Sequence, residues 1–360
     1  MNRNIGPYVF DKHLSSGNFG KVYVATHEPS NEKVAIKIVT KNAHSINSSK
    51  EYDIMMKLHH LFIVSLYEVI EDAENLYLVM EYVEGPTLLD YIKEQGKLPD
   101  WKIKHIFCEI LSAVLYLHKT LKIVHRDLKL ENIIIDKNLN VRLLDFGLSN
   151  QQKHDAALFK TTCGSPSYSA PELLMGKPYN HKVDMWSLGI ILYALTYNTL
   201  PFGDPNMQSL TSKIITKDPF YPMISNQQII TVIKELLNKD PEERPSSEEA
   251  AELPWIASYQ NAFILRDPFN QTERWAANSN DSYVGTKIMM RKQINKECAD
   301  FCKSAGDLNS FKFNSTYNHP KMRNHLLTNQ KMPIRGSTFQ KGAKRLIMAN
   351  ASPKLVRKLD

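Results

Sequence analysis

Long apolar runs are missing from this 360-residue chain. With no stretch of about 18 consecutive apolar residues, a membrane-spanning helix is excluded. The opening Met1–Gly6 lacks the basic-then-apolar order of a signal peptide. Cysteine is scarce: Cys108, Cys163, Cys298 and Cys302 are too few and too scattered for a disulfide framework, which points to a reducing interior. Cys298 and Cys302 share a helical face, but with no histidine nearby they read as free thiols rather than zinc ligands. There is no internal repeat. A Walker A loop is absent too, because Gly20-Lys21 is followed by Val22 and not by Ser or Thr. The expected compartment is the cytoplasm, with the nucleus as the alternative.

What is present is ordinary globular composition, 42% hydrophobic and 23% charged, enough for one large or two modest domains. The net charge of +7 is unevenly placed: residues 261–360 hold 18 Lys and Arg against 7 Asp and Glu, which leaves the first 260 residues near −4. Basicity belongs to the tail. Such a tail can attract nucleic acid, anionic lipid or acidic proteins.

From Tyr8 to about Tyr82 the chain is strand-rich. Tyr8–Leu14, Gly20–His27, Lys33–Val39, Leu66–Glu71 and Leu76–Glu81 are short β-branched and aromatic runs broken by turn residues. One helical segment, Ser49–His59, interrupts them. From Leu88 helices dominate, with helical apolar spacing over Trp101–Thr120 and Lys182–Thr196. Strands first and helices second predict two lobes of an α+β fold. Periodicity fades after Trp255, so the predicted domain covers 8–256, with lobes of about 8–82 and 83–256.

The turn Leu14-Ser-Ser-Gly-Asn-Phe-Gly-Lys-Val22 contains Gly17 and Gly20, whose bare backbone can approach phosphate oxygens closely. Alone, a Gly-x-x-Gly pair in a hairpin usually means only a tight turn. The next strand, Val34-Ala-Ile-Lys37, ends on a lysine at the spacing needed to reach phosphates under that loop. Glu51, in the predicted helix, can pair with Lys37, with Met55 one turn later on the same face.

His125-Arg-Asp-Leu-Lys-Leu-Glu-Asn132 packs six polar side chains into eight residues before the apolar run Ile133-Ile-Ile135. Thirteen positions after Asn132 comes Asp145-Phe-Gly147, at the end of another short strand, Asn140–Leu144. In this order and downstream of Val-Ala-Ile-Lys, the combination is not coincidence. The chain resembles the eukaryotic protein kinases over residues 8–256. Through Asp145-Phe-Gly-Leu-Ser-Asn150, Cys163-Gly-Ser-Pro166 and Asp184-Met-Trp-Ser-Leu-Gly189 it resembles their calcium/calmodulin-dependent group, especially the AMP-activated-kinase-like branch.

That resemblance implies a bilobal fold: a small, mainly antiparallel β lobe with one regulatory helix, and a larger helical lobe. It implies ATP and Mg²⁺ as cofactors and protein substrates with Ser or Thr acceptors. Asp127 would orient the substrate hydroxyl and take its proton, and Lys129 would stabilise the migrating phosphoryl group. Asn132 and Asp145 would hold Mg²⁺ through hard oxygen donors. Lys37, fixed by Glu51, would contact the α- and β-phosphates. Around the nucleotide the resemblance places Leu14, Ser15, Gly17 and Gly20 on the loop, and Val22 and Ala35 over the adenine. Ile134 would lie beneath it, Met80 would be the gatekeeper, and Glu81–Val83 would offer backbone to its edge. Met55, Leu66, His125 and Phe146 would stack as a spine. Lys129 follows the serine/threonine pattern, and Ser165 would bond Asp127 and Lys129.

The same resemblance makes Thr161 the activating phosphosite, modified by an upstream kinase, with Thr162 as runner-up. Arg126, which has no obvious partner in the unmodified sequence, would receive the phosphate. Glu172 and Arg244 would form a buried ion pair, and Asp184 would brace the catalytic-loop backbone. Ser15 replaces the usual first loop glycine, and Leu130 and Leu61 replace prolines. Thr87 stands where relatives carry a ribose- or arginine-contacting Glu, which leaves a basic-substrate preference to Glu131 alone. Residues 257–360 are expected to be a basic, largely disordered or weakly helical tail, with one helix over Ile288–Cys302. A partner-binding or autoinhibitory segment is the competing reading of its end. A pseudokinase and a small-molecule kinase are the rival functional classes. Intact Lys37, Glu51, Asp127, Asn132 and Asp145 oppose the first, and Ala170-Pro-Glu172 opposes the second.

Overall fold

The structure of the protein, a computed structural model, describes residues 4–17, 20–41, 46–151, 159, 164–224, 226–259, 284–306 and 356–358. Alternating β-branched and aromatic residues build the first lobe. Strands β1 (Asn4–Ile5), β2 (Tyr8–Gly17), β3 (Gly20–His27), β4 (Glu32–Thr40), β5 (Leu66–Glu71) and β6 (Asn75–Glu81) pair antiparallel. A late strand, β11 (Val356–Lys358), adds in parallel to β5 and completes the order β1-β2-β3-β4-β6-β5-β11. One helix, α1 (Ile46–Met55), interrupts the strands; it begins and ends a turn before the 49–59 segment read from sequence.

Helices form the second lobe: α2 (Leu88–Gln95), α3 (Asp100–Leu115), α4 (Pro171–Leu174), α5 (Lys182–Tyr197), α6 (Met207–Thr216), α7 (Gln227–Leu236), α8 (Ser247–Ala251) and α9 (Pro254–Ala257). Their starts are chemically marked. Thr87, Asn206, Asn226 and Ser246 accept backbone N–H bonds at helix entries, and Ser246 forms a capping box with Glu249. Helix α5 is buried nearly all round, from Val183 to Thr196, as a central core helix must be. Short strands β7 (Ile123–Val124), β8 (Ile133–Ile135), β9 (Val141–Leu143) and β10 (Asn150–Gln151) lie between α3 and α4 and carry the polar loops forward. This is the bilobal α+β arrangement.

The expected helix Trp101–Thr120 divides. Its last turn, Tyr116–Leu121, is π-helical. The wider turn delivers the ring of His118 to Asp184, with Nε2 2.8 Å from Oδ2. Beyond the second lobe, helix α10 (Val284–Gly306) lies against β5, with Ile288 buried among Tyr8, Ala25, Val34, Ile36 and Tyr67. It contains the 288–302 segment expected to be helical. No helix among the described residues is long and apolar enough to cross a membrane.

Three histidines sit where burial keeps them neutral. Burial, then the cations of Lys287 and Arg291, lowers His59 to about 4. Burial, then Arg291 and Arg142, lowers His60 to about 3. His181 falls to about 4 through burial and the neighbouring His118. In the unfolded chain each protonates near pH 6.5. The folded state therefore binds fewer protons, and its stability, full above about pH 6.5, falls as pH drops toward 4. Calorimetric melting between pH 7 and 5 should show a falling Tm, and a flat profile would refute this account.

Candidate active site

Gly17 and Gly20 face each other across the β2–β3 turn, whose tip at residues 18–19 lies outside the described residues. Gly20 has φ +123°, and a Cβ there would fall 2.2 Å from the carbonyl oxygen of Ile38, so no side chain fits. Leu14 and Ser15 are exposed on β2, and Ser15 pairs with Val22 on β3. Val22 in turn pairs with Lys37, and Ala35 lies between Val24 and Met80. The β-ladder thus brings the loop, the lysine strand and Met80 onto one surface. Glu81 ends β6, followed by half-buried Tyr82 and Val83. In the second lobe, Ile134 on β8 bridges to Thr87.

Lys37 reaches across that surface. Its Nζ donates to Glu51 Oε1 at 2.5 Å and to Asp145 Oδ1 at 3.1 Å. Burial opposes the ammonium, but the two carboxylates outweigh it and hold Lys37 above the ordinary lysine value. Burial lifts the Glu51 carboxyl against the pull of Lys37; one ammonium shared by two carboxylates at these distances makes the contact an ion pair. Asp145, despite burial, is held below the usual carboxylate range by Lys37 and by the Gly147 N–H. Both bonds fall on Oδ1, so Oδ2 is the atom Asp145 can offer to a cation.

Around Asp127 a second cluster forms. Lys129 Nζ donates to Asp127 Oδ2 at 2.7 Å and to Ser165 Oγ at 3.0 Å, and Ser165 Oγ donates to Asp127 Oδ1 at 3.0 Å. Asn132 Nδ2 donates to the carbonyl of Asp127 at 2.9 Å and to its Oδ2 at 3.0 Å. That leaves the Asn132 carbonyl Oδ1 as the atom it can offer to a cation. Among the described residues no group of three or more His, Cys, Asp or Glu converges on a cation position. Two such oxygen donors suit a hard divalent cation, so the residues fit a metal of that kind.

The two clusters are bolted together through the backbone. Leu144 N donates to Asn132 O at 2.8 Å. His125 accepts the Asp127 N–H on Nδ1 and therefore donates from Nε2 to the Leu144 carbonyl at 3.1 Å. Burial lowers its pKa, which suits this neutral tautomer. Its ring lies 4.9 Å from that of Phe146, with Met55 in the same buried cluster. Arg126 and Asp145 have φ of +68° and +53°. Such left-handed backbone costs about 1–3 kcal/mol per residue and persists only where its surroundings enforce it. Asp184 supplies part of that enforcement, accepting the N–H of His125 at 2.8 Å and of Arg126 at 2.9 Å. Residues 8–256 match the protein kinase domain family. The chain belongs to the protein kinase family. Over 272 residues it is 40% identical to the SNF1-related protein kinase catalytic subunit alpha KIN12 of Arabidopsis thaliana, an alignment covering 74% of this chain and 55% of that protein. The chain therefore spans about half the length of that curated relative. Its match is to the kinase domain, and its likeness within that family is to an SNF1-related protein kinase.

Elsewhere in this kinase domain, Glu172 and Arg244 form a buried two-bond pair at 2.7 and 3.1 Å. Thr87 has a structural task, donating to Asp90 Oδ2 and capping α2. Glu131 is exposed. One expectation is overturned. Arg126 does have partners: its Nε donates to Leu148 O at 2.6 Å, one terminal nitrogen lies 3.3 Å from Tyr179 Oη, and its guanidinium stacks 5.3 Å from the Phe159 ring centre. The sequence could not show this because Tyr179 lies 53 positions away. Thr161 and Thr162 lie outside the described residues. Sequence reasoning also missed Arg291 and Asn295 of α10, which bond Glu81 at the end of β6. The only signal was a stripe, Val284-Ile288-Arg291-Asn295, whose polar half hid its helical spacing.

Proposed function

We propose that this chain transfers the γ-phosphoryl group of ATP to serine or threonine hydroxyls of protein substrates, with Mg²⁺ as the metal. The observation that carries this reading is the Lys37–Glu51–Asp145 ion cluster joined to the Asp127–Lys129–Ser165–Asn132 cluster through Leu144 and His125. Phosphoryl transfer needs positioning and charge neutralisation more than covalent help. Lys37, braced by Glu51, neutralises the α- and β-phosphates. Asn132 Oδ1 and Asp145 Oδ2 hold the metal, which when bound neutralises charge on the phosphate oxygens. Asp127, its carboxylate aimed by Ser165, Lys129 and Asn132, orients the acceptor hydroxyl and takes its proton. Lys129 faces the migrating phosphoryl group. Val22, Ala35, Met80 and Ile134 enclose the adenine, and Glu81–Val83 present backbone to its edge.

Incubating the chain with γ-labelled ATP, MgCl₂ and a degenerate peptide library should label Ser and Thr, dependent on the metal. Label on tyrosine alone, or equal transfer without a divalent ion, rules the reading out.

Switching belongs to the same proposal. An upstream kinase phosphorylates Thr161, and the phosphate joins or replaces the contacts of Arg126 with Tyr179 and Phe159. A charge-assisted hydrogen bond contributes about 1.5–3 kcal/mol, so Thr161→Ala should lower peptide phosphorylation roughly tenfold or more. Thr162→Ala should leave it near the parent rate. The reverse pattern would transfer the assignment to Thr162.

A further inference from the structure

The family match ends at residue 256, yet the first lobe is completed by residues well beyond it. Helix α10 sends Arg291 into the rear of the β-sheet, where its side chain is 3% exposed. Four bonds hold it. Nε donates to Glu81 Oε2 at 2.9 Å, and the two terminal nitrogens reach the carbonyls of His60 at 3.2 Å and of Leu61 and Ile63 at 2.8 Å each. One turn on, Asn295 donates to Glu81 Oε1 at 2.9 Å and accepts from Arg142 at 2.7 Å. The Glu81 carboxylate also receives Arg142 Nε and the Ser65 N–H, both at 3.3 Å. Two of its four donors therefore come from α10. Burial would raise Glu81, but the charges of Arg291 and Arg142 hold it below the usual range.

These contacts lie at two junctions of the active site. Glu81 is the last residue of β6, directly before Tyr82–Val83. The carbonyls of residues 60–63 belong to the segment after α1, and that segment docks on β9: Leu143 N donates to Phe62 O, and Val64 N donates to Leu143 O. Leu143 stands two residues before Asp145. An arginine at this place joins the end of β6 to the segment that follows α1. The helix is docked while Lys37 bonds both Glu51 and Asp145, so its seating accompanies an assembled site.

We propose that Arg291 is a positioning residue for the nucleotide pocket, acting through Glu81 to fix the backbone that faces the adenine. The inference rests on the reading of Glu81–Val83 given above. Arg291→Met in the full chain keeps the length and apolar contact of the stem while removing all four bonds. Remote packed contacts of this kind transmit roughly threefold to thirtyfold effects. We expect the KM for ATP and the Kd of a fluorescent ATP analogue to rise about tenfold, with kcat and the peptide KM within about twofold. Asn295→Ala, at a half-buried position, should raise the same two constants about threefold. Arg291→Lys, which can reach Glu81 but not three carbonyls at once, should fall between parent and Met. Assays are run at a temperature where circular dichroism shows each variant folded.

Unchanged nucleotide constants in both Arg291→Met and Asn295→Ala would overturn the proposal. A rise in kcat would also overturn it and make α10 an inhibitory strap. An equal loss of kcat and of both substrates' affinities would reduce Arg291 to a general stabiliser. Failure of the parent chain to bind the ATP analogue at all is a different result, and would sink the kinase reading itself.

Discussion

Replacing Asp145 with asparagine should cut phosphoryl transfer by about 10²–10³-fold, as loss of a charge-stabilising group at a reaction centre does. Asparagine is the informative substitution because of the backbone. At φ +53° an alanine would strain the chain as well as remove the carboxylate, whereas asparagine tolerates left-handed geometry and keeps the shape. What it loses is charge: Lys37 keeps Glu51 but loses its second carboxylate, and the proposed metal site loses its carboxylate donor. Turnover of a Ser/Thr peptide by Asp145→Asn, measured beside a melting curve, separates chemistry from folding. A folded variant with more than about a tenth of parental activity would remove Asp145 from the metal site.

The largest expected effect on stability belongs to Arg244. Its guanidinium is fully buried, donates twice to Glu172, and bonds the carbonyls of Asn238 and Lys182 at 2.9 Å each. It also lies 5.2 Å from the centre of the Trp186 ring. Arg244→Met leaves the Glu172 carboxylate buried without its partner, which costs about 3–5 kcal/mol. For a domain of this size that lowers Tm by on the order of 10 °C. Lysine should not rescue it, since one ammonium cannot make two parallel bonds and stack on an indole. Calorimetry decides the matter. A Tm within about 2 °C of the parent would mean that water or a rearranged neighbour satisfies Glu172.

Much of this was legible in the residues. Lys37 and Glu51 stand 14 positions apart, and the strand and helix periods around them foretell which face each occupies. The His125–Asn132 loop announces itself because six polar side chains among eight residues run directly into three isoleucines. Ser165 could be placed on Asp127 and Lys129 by analogy with the family pattern. Illegible were the contacts set by packing between distant segments. Tyr179 beneath Arg126, and His118 turned by a π-helical residue toward Asp184, depend on how helices dock rather than on local spacing. Arg291 escaped because a basic residue in a basic tail reads as solvated. Only the fold reveals that it enters the protein interior to meet Glu81. The partnerless reading of Arg126 failed for the same reason.

Helix α10 has a practical corollary for anyone trimming the polypeptide to its family boundary. Cutting after Ala257 would strip Glu81 of two donors and uncover the apolar hollow that Ile288 fills beside Tyr8 and Ile36. The shortened enzyme would expose a sticky back and a poorly tethered purine shelf, so compound screens run on it would rank ligands against a pocket the intact molecule does not present.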